Sequence, residues 1–173
     1  MNPIEWLCTK TRGFDQLTKE ELDEIMHFVL LWSFFEANVF NETTRVCAQS
    51  IIDVAEHWKC EELVEEETFK LCLSYFKKRY IDHVGFTGYF DNLKFRANDN
   101  RPLVEAVLKG NDKGAGEKVA AILIIVYRLR NNLFHGLKWE YDIRGELSNF
   151  KCANSLLMTV LETHGNDLCS LKK

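Results

Sequence analysis

Residues 117–138 read Glu-Lys-Val-Ala-Ala-Ile-Leu-Ile-Ile-Val-Tyr-Arg-Leu-Arg-Asn-Asn-Leu-Phe-His-Gly-Leu-Lys, and they set the fold class. Val119, Ile122, Val126, Leu129 and Leu133 fall three and four apart, the stripe that an α-helix turns toward a core. As far as Tyr127 the other faces are apolar as well. The first half of this helix is therefore expected to be buried nearly all round. Polarity then switches abruptly: Arg128, Arg130, Asn131, Asn132 and His135 arrive within eight residues. A rod of this kind requires other helices around it, and its polar end is where chemistry is expected.

The flanking sequence supplies those helices. Residues 1–16 read as an irregular lead-in. Thr18 precedes Glu21 by three, a capping-box signature, and no Gly or Pro occurs from Lys19 to Phe40. Leu22, Ile25, Met26, Val29, Leu30, Phe34 and Ala37 recur there at helical spacing. Asn41, Thr43 or Thr44 can cap a second helix through Trp58, and a third is expected from about Glu61 to Tyr80. The third has an acidic first turn and a basic last turn (Lys77, Lys78, Arg79) that complement the helix dipole. Residues 82–101 break the periodicity. Their aromatics, Phe86, Tyr89, Phe90 and Phe95, lie beside Lys94 and Arg96 and can stack bases, but anchoring the loop onto the core is the plainer reading. Asp99 or Asn100 followed by Pro102 opens a short helix to Lys109. A connector follows at 110–116, and a last helix is expected from about Ile143 to Thr163, with Gly165 as its stop. The whole reads as one all-α, up-and-down bundle of five to six helices over residues 1–173, with an irregular insertion at about 82–101.

Composition agrees with one soluble domain. The chain has 173 residues, 46% hydrophobic and 28% charged, with a net charge of −4. That balance excludes a disordered tail and a histone-like basic coat. The longest apolar run, Val119 to Tyr127, is far short of the roughly 20 residues that a membrane span needs. No basic start followed by an apolar stretch marks a secretory signal at the N-terminus. Cys8, Cys47, Cys60, Cys72, Cys152 and Cys169 include no C-x-x-C pair, so reduced cysteines in a cytoplasmic protein are the economical reading. His57 and Cys60 make half a zinc pattern without a second half, and no metal or other cofactor is expected. The connector at 110–116 fails as a phosphate loop, because Ala115 stands where the second Gly is required.

The chemistry is expected at the polar end of the apolar helix. From Lys118 to Lys138 there are four basic residues and no acidic one. On an acidic chain this suits a local phosphate contact. On an ideal helix Arg128, Asn131, Asn132 and His135 share an arc of about 100°, while Arg130 points about 140° away from His135. Asn131 can orient the His135 ring from one turn back. Histidine titrates near neutrality, and an arginine fork binds phosphate oxygens. Together they suffice for RNA cleavage without a metal. The imidazole moves a proton at the 2′-hydroxyl or the leaving oxygen, and the guanidinium offsets charge on the pentacovalent transition state. As a plain structural alternative, Arg128 and Arg130 are favourable charges near the helix C-terminus, and His135 caps it before Gly136.

Arg130-Asn131-Asn132-Leu133-Phe134-His135-Gly136 resembles the R-x4-6-H motif of HEPN domains, in the form R-N-x-x-x-H; Arg128 also fits the spacing. The resemblance is specific over about 20 residues and architectural elsewhere. It implies a homodimeric helical bundle whose two motifs meet in one cleft, acting as a metal-independent endoribonuclease. A toxin or phage-defence role, held in check by an antitoxin or other regulatory protein, would follow. On that pattern Arg130 and His135 are catalytic and Asn131 supports them, with Arg128, Asn132 and Lys138 as further RNA contacts. Glu36 resembles the acidic position that first helices of this family set near the motif. The tyrosine that some members carry two residues after the histidine is Leu137 here, with Tyr141 out of register. The resemblance also leaves room for a catalytically silent module that binds RNA, a nucleotide or a protein.

Overall fold

A computed structural model describes residues 2–11, 13–40, 44–62, 66–111, 113–134 and 145–170, with backbone alone at 66, 68 and 164–170. The described residues form an all-helical bundle: α1 (Pro3–Lys10), a 3-10 turn (Phe14–Gln16), α2 (Lys19–Val39), α3 (Ala48–Cys60), α4 (Glu66–Tyr80), α5 (Gly88–Asp91), α6 (Arg101–Leu108), α7 (Ala115–Phe134) and α8 (Leu147–Ser170). The all-α expectation holds, with more helices than the five or six expected. None of the described helices is long and apolar enough to cross a membrane.

Local chemistry explains the boundaries. The lead-in contains a helix because Asn2 accepts from the Ile4 N–H while Glu5 reaches back to the Asn2 N–H, with Pro3 in the first turn. At α2 the expected box is in place: the Glu21 N–H donates to Thr18 Oγ1 at 3.2 Å and the Thr18 N–H donates to Glu21 Oε2 at 2.9 Å. α3 starts later than expected, at Ala48, where Ser50 Oγ accepts from the Cys47 N–H. Thr44 lies outside any helix, and Asn41 and Thr43 lie outside the described residues. Glu61 caps the C-terminus of α3 and does not open α4, which is described from Glu66, residues 63–65 lying outside the described residues. Gly165 does not stop α8, which continues to Ser170; a single helical Gly costs only about 1 kcal/mol relative to Ala.

α7 is the axis of the molecule. It packs against α3, α4 and α6, while α2 lies along α8. Every residue from Val119 to Val126 is buried, as the uniform apolarity requires. Gly116, in the first turn of α7, lies where a Cβ would stand 3.2 Å from the Ala55 carbonyl oxygen of α3, so a side chain there would push the two helices apart. Phe28 against Phe150 (5.1 Å between ring centroids) joins α2 to α8, and Trp32 against Tyr127 (6.2 Å) joins α2 to α7.

The 82–101 segment is held down by its aromatics. Phe90 is the hub, stacked on Phe86 at 4.2 Å, against Phe95 at 5.3 Å and edge-on to Tyr80 at 6.0 Å. Ile81 and Phe86 make an isolated antiparallel bridge, and α5 is a single turn. Of the four aromatics considered for base stacking, only Tyr89 is exposed, and the Arg79 guanidinium covers its ring at 4.3 Å.

Candidate functional site

The last two turns of α7 carry the motif residues, and helical geometry sends them in different directions. Arg128 turns inward onto the 92–99 loop and is only 1% exposed. Its Nε donates to the Leu93 carbonyl at 3.0 Å, and its Nη2 donates to the Lys94 carbonyl at 2.6 Å and to Asn132 Oδ1 at 3.3 Å. Nη1 lies 3.0 Å from Asp99 Oδ2, an ion pair not aligned as a hydrogen bond. Asn132 completes the staple, its Nδ2 donating to the carbonyls of Asn92 (3.0 Å) and Leu93 (3.1 Å). Asp99 is itself fixed, accepting from the Arg96 N–H at 2.6 Å. Burial pushes the Arg128 pKa below its ordinary value, and the Asp99 carboxylate opposes that shift.

Arg128 and Asn132 were expected among the RNA contacts. Both are buried, with donors bonded to loop carbonyls and Arg128 Nη1 facing Asp99, so in this subunit they fasten a loop and face no solvent. The spacing arithmetic gave their shared face correctly. What the loop would lay over that face was not visible in it.

Arg130 points the other way, toward α2. Its Nη1 donates to Asn131 Oδ1 at 3.1 Å, and its Nη2 lies 3.7 Å from Glu36 Oε2. Glu36 Oε2 also accepts from Trp32 Nε1 at 2.8 Å. The guanidinium carbon stands 5.9 Å from the Trp32 ring centroid and 5.0 Å from that of Phe134, within cation–π reach of both. The Arg130 and Glu36 side chains are 27% and 33% exposed, and Phe134 is 51% exposed. Asn131 is buried beneath them, and Arg130 Nε is buried with no hydrogen-bond partner among the described residues.

The structure thus gathers Arg130, Asn131 and Glu36 into one cluster, rimmed by Trp32 and Phe134. It does not bring Arg128 or Asn132 into it. His135 and Lys138 lie outside the described residues, as do Leu137 and Tyr141. Chemically, the described cluster offers a partly neutralised guanidinium beside an exposed aromatic ring, a combination suited to a phosphate with an adjoining base.

Sequence reasoning missed three participants. Trp32 and Phe134 fall outside the periodic apolar sets and carry no role in the sequence reading, although W-x-x-x-E in α2 places an indole N–H one turn from Glu36. Asp99 read as a helix cap. Asn100, not Asp99, is the residue before α6, and it makes no side-chain capping bond. Among the described residues no group of three or more His, Cys, Asp or Glu side chains is placed to hold a metal. Comparison with known proteins adds no relative to this geometry: no family model, no curated protein and no solved structure matches the chain.

Proposed function

We propose that the chain is a HEPN-type endoribonuclease that cleaves RNA without a metal, in a cleft formed by two copies, in a toxin or defence setting. The observation that carries this reading is the contrast between the two arginines. Arg130, the one in the R-N-x-x-x-H spacing, is partly exposed in the last described turns of α7, with an exposed aromatic at its side. Arg128 is internal. In the proposed reaction a 2′-hydroxyl attacks the adjacent phosphorus, the P–O5′ bond breaks, and a cyclic phosphate forms beside a free 5′-hydroxyl. His135 moves the proton at the attacking or leaving oxygen. Arg130 offsets charge on the phosphoryl oxygens. Asn131 holds the guanidinium by its Nη1, and Glu36 holds it on the α2 side.

The Glu36–Arg130 pair also favours a second reading. A guanidinium already paired within its own subunit has less charge to give a transition state, which suits a module that binds RNA, a nucleotide or a protein without cutting. One assay separates the two. The full-length protein is mixed with end-labelled RNA in excess EDTA across pH 5 to 9. Cleavage should appear, depend on a group titrating near neutrality, and fall at least 100-fold in both His135→Ala and Arg130→Ala. RNA that is bound but left intact would select the second reading, and a strict Mg²⁺ requirement would overturn the first.

A further inference from the structure

The seam between α4 and α8 is antiparallel and in close register. Tyr75 Oη donates to Asn149 Oδ1 at 2.8 Å. One turn toward the C-terminus of α4, Arg79 Nη2 donates to the Gly145 carbonyl at 3.4 Å and stands 3.8 Å from Glu146 Oε1. One turn the other way, the same alternation brings Cys72 onto Cys152. Their sulfurs are 2.7 Å apart, and Cys72 Sγ is also 3.9 Å from the Cys152 carbonyl oxygen. Both side chains are half-buried, so each is within reach of a small reagent. The gap is about 0.7 Å longer than a disulfide bond, and closing it requires no change of register.

We propose that Cys72 and Cys152 form an oxidation site, at which a low-molecular-weight disulfide converts the two thiols into a covalent clamp between α4 and α8. The step is two exchanges. One thiol gives its proton to solvent, and its sulfur attacks the small disulfide, releasing one small thiolate and leaving a mixed disulfide. The second protein thiol, losing its proton, attacks the protein sulfur of that mixed disulfide and releases the other small thiolate. The protein gives up two electrons and two protons, and the small disulfide becomes two thiols.

The surroundings decide what kind of site this is. The hydrogen bond with Cys152 and burial push the Cys72 thiol well above the usual thiol range. That disfavours the Cys72 thiolate as the opening nucleophile. The clamp is a structural one, joining two helices of the bundle. It spans 80 positions in the sequence, enough chain to restrict the unfolded state strongly.

The test uses the full chain, reduced and then incubated with glutathione disulfide. Free thiols are blocked with a maleimide under denaturing conditions, and the digest is read by mass spectrometry. The expected product is one peptide pair joined through Cys72 and Cys152, with Cys8, Cys47, Cys60 and Cys169 recovered as maleimide adducts. Its thermal midpoint should stand about 10 °C above that of the reduced protein and return on treatment with a phosphine. Cys152→Ser, and Cys152→Ala should the serine variant fold poorly, should show neither the joined peptide nor the rise. Recovery of Cys72 and Cys152 as separate maleimide or glutathione adducts, or of either joined to another cysteine, overturns the proposal.

Discussion

Arg128 and Arg130 sit about 200° apart around α7, and that rotation gives them opposite surroundings. Arg128 meets two loop carbonyls, Asn132 and a buried carboxylate, whereas Arg130 meets a partly exposed one between two rings. The energetic consequences differ accordingly. Removing one partner of a buried pair strands the other, so Arg128→Ala should lower unfolding free energy by about 3–5 kcal/mol in urea denaturation. Arg130→Ala should cost under about 1 kcal/mol, because its pair is screened by solvent. A cycle with Asp99→Asn sharpens the test: the double variant should lose clearly less than the sum of the single losses. Additive losses would mean that Asp99 is not what Arg128 answers to. These fates were only half legible in the sequence. The spacing of Arg128, Asn131, Asn132 and His135 predicted a shared polar face, but a polar face reads the same whether it looks at phosphate or at folded-back carbonyls. Glu36 leaves two readings in the sequence, a cation partner or emergence into solvent, and the side chain is both paired and 33% exposed. A carboxylate in an apolar helix needs a cation, and Arg130 is the one beside it.

At the scale of elements, what was legible was what local chemistry alone decides. The Thr18–Glu21 box and the uniform apolarity of Val119–Val126 each left a single reading, and both are present as expected. α1 was legible in principle, since Asn2, Pro3 and Glu5 satisfy the same capping rule. The single turn of α5 had no such signal, because Phe86, Phe90 and Phe95 are placed by stacking between distant positions and have no period of their own. The start of α7 yields a pH prediction. Glu117 accepts from Lys113 Nζ at 2.7 Å and from the Gly114 N–H at 3.0 Å, and those bonds hold its carboxyl below the usual range. A carboxyl lowered in the folded state stabilises above its unfolded pKa and loses that contribution as pH falls through the folded one. The side chain is 40% exposed, so the effect is small. Glu117→Gln should melt about 1 °C below the parent at pH 7, and the difference should vanish near pH 3. A constant difference across that range would assign the effect to packing.

At the scale of the whole molecule, the proposed reaction turns on whether one copy suffices. α7 is enclosed by α3, α4 and α6 along its apolar length, and Arg130 and Phe134 in its last described turns reach the surface. Within one subunit Arg130 leans onto α2 and is held there by Glu36 and Trp32. His135 lies outside the described residues, but helical spacing in the sequence alone sets it about 140° from Arg130. A phosphate gripped by both groups of a single chain would have to bridge that angle. A composite site, with the guanidinium of one copy serving the imidazole of the other, removes the difficulty and makes a sharp prediction. Arg130→Ala and His135→Ala should each be inactive alone. Mixed in equal amounts and allowed to exchange subunits, half of the dimers should be hybrids, each with one site intact and one lacking both groups. RNA cleavage should then recover to about one quarter of the wild-type rate at equal total protein, because half of the dimers regain half of their sites. Recovery should also fall as the mixture is diluted below the dimer dissociation constant. If the mixture stays as inactive as its components while sedimentation shows that exchange is complete, each site draws both groups from one chain, and the angle around α7 must be closed within the subunit.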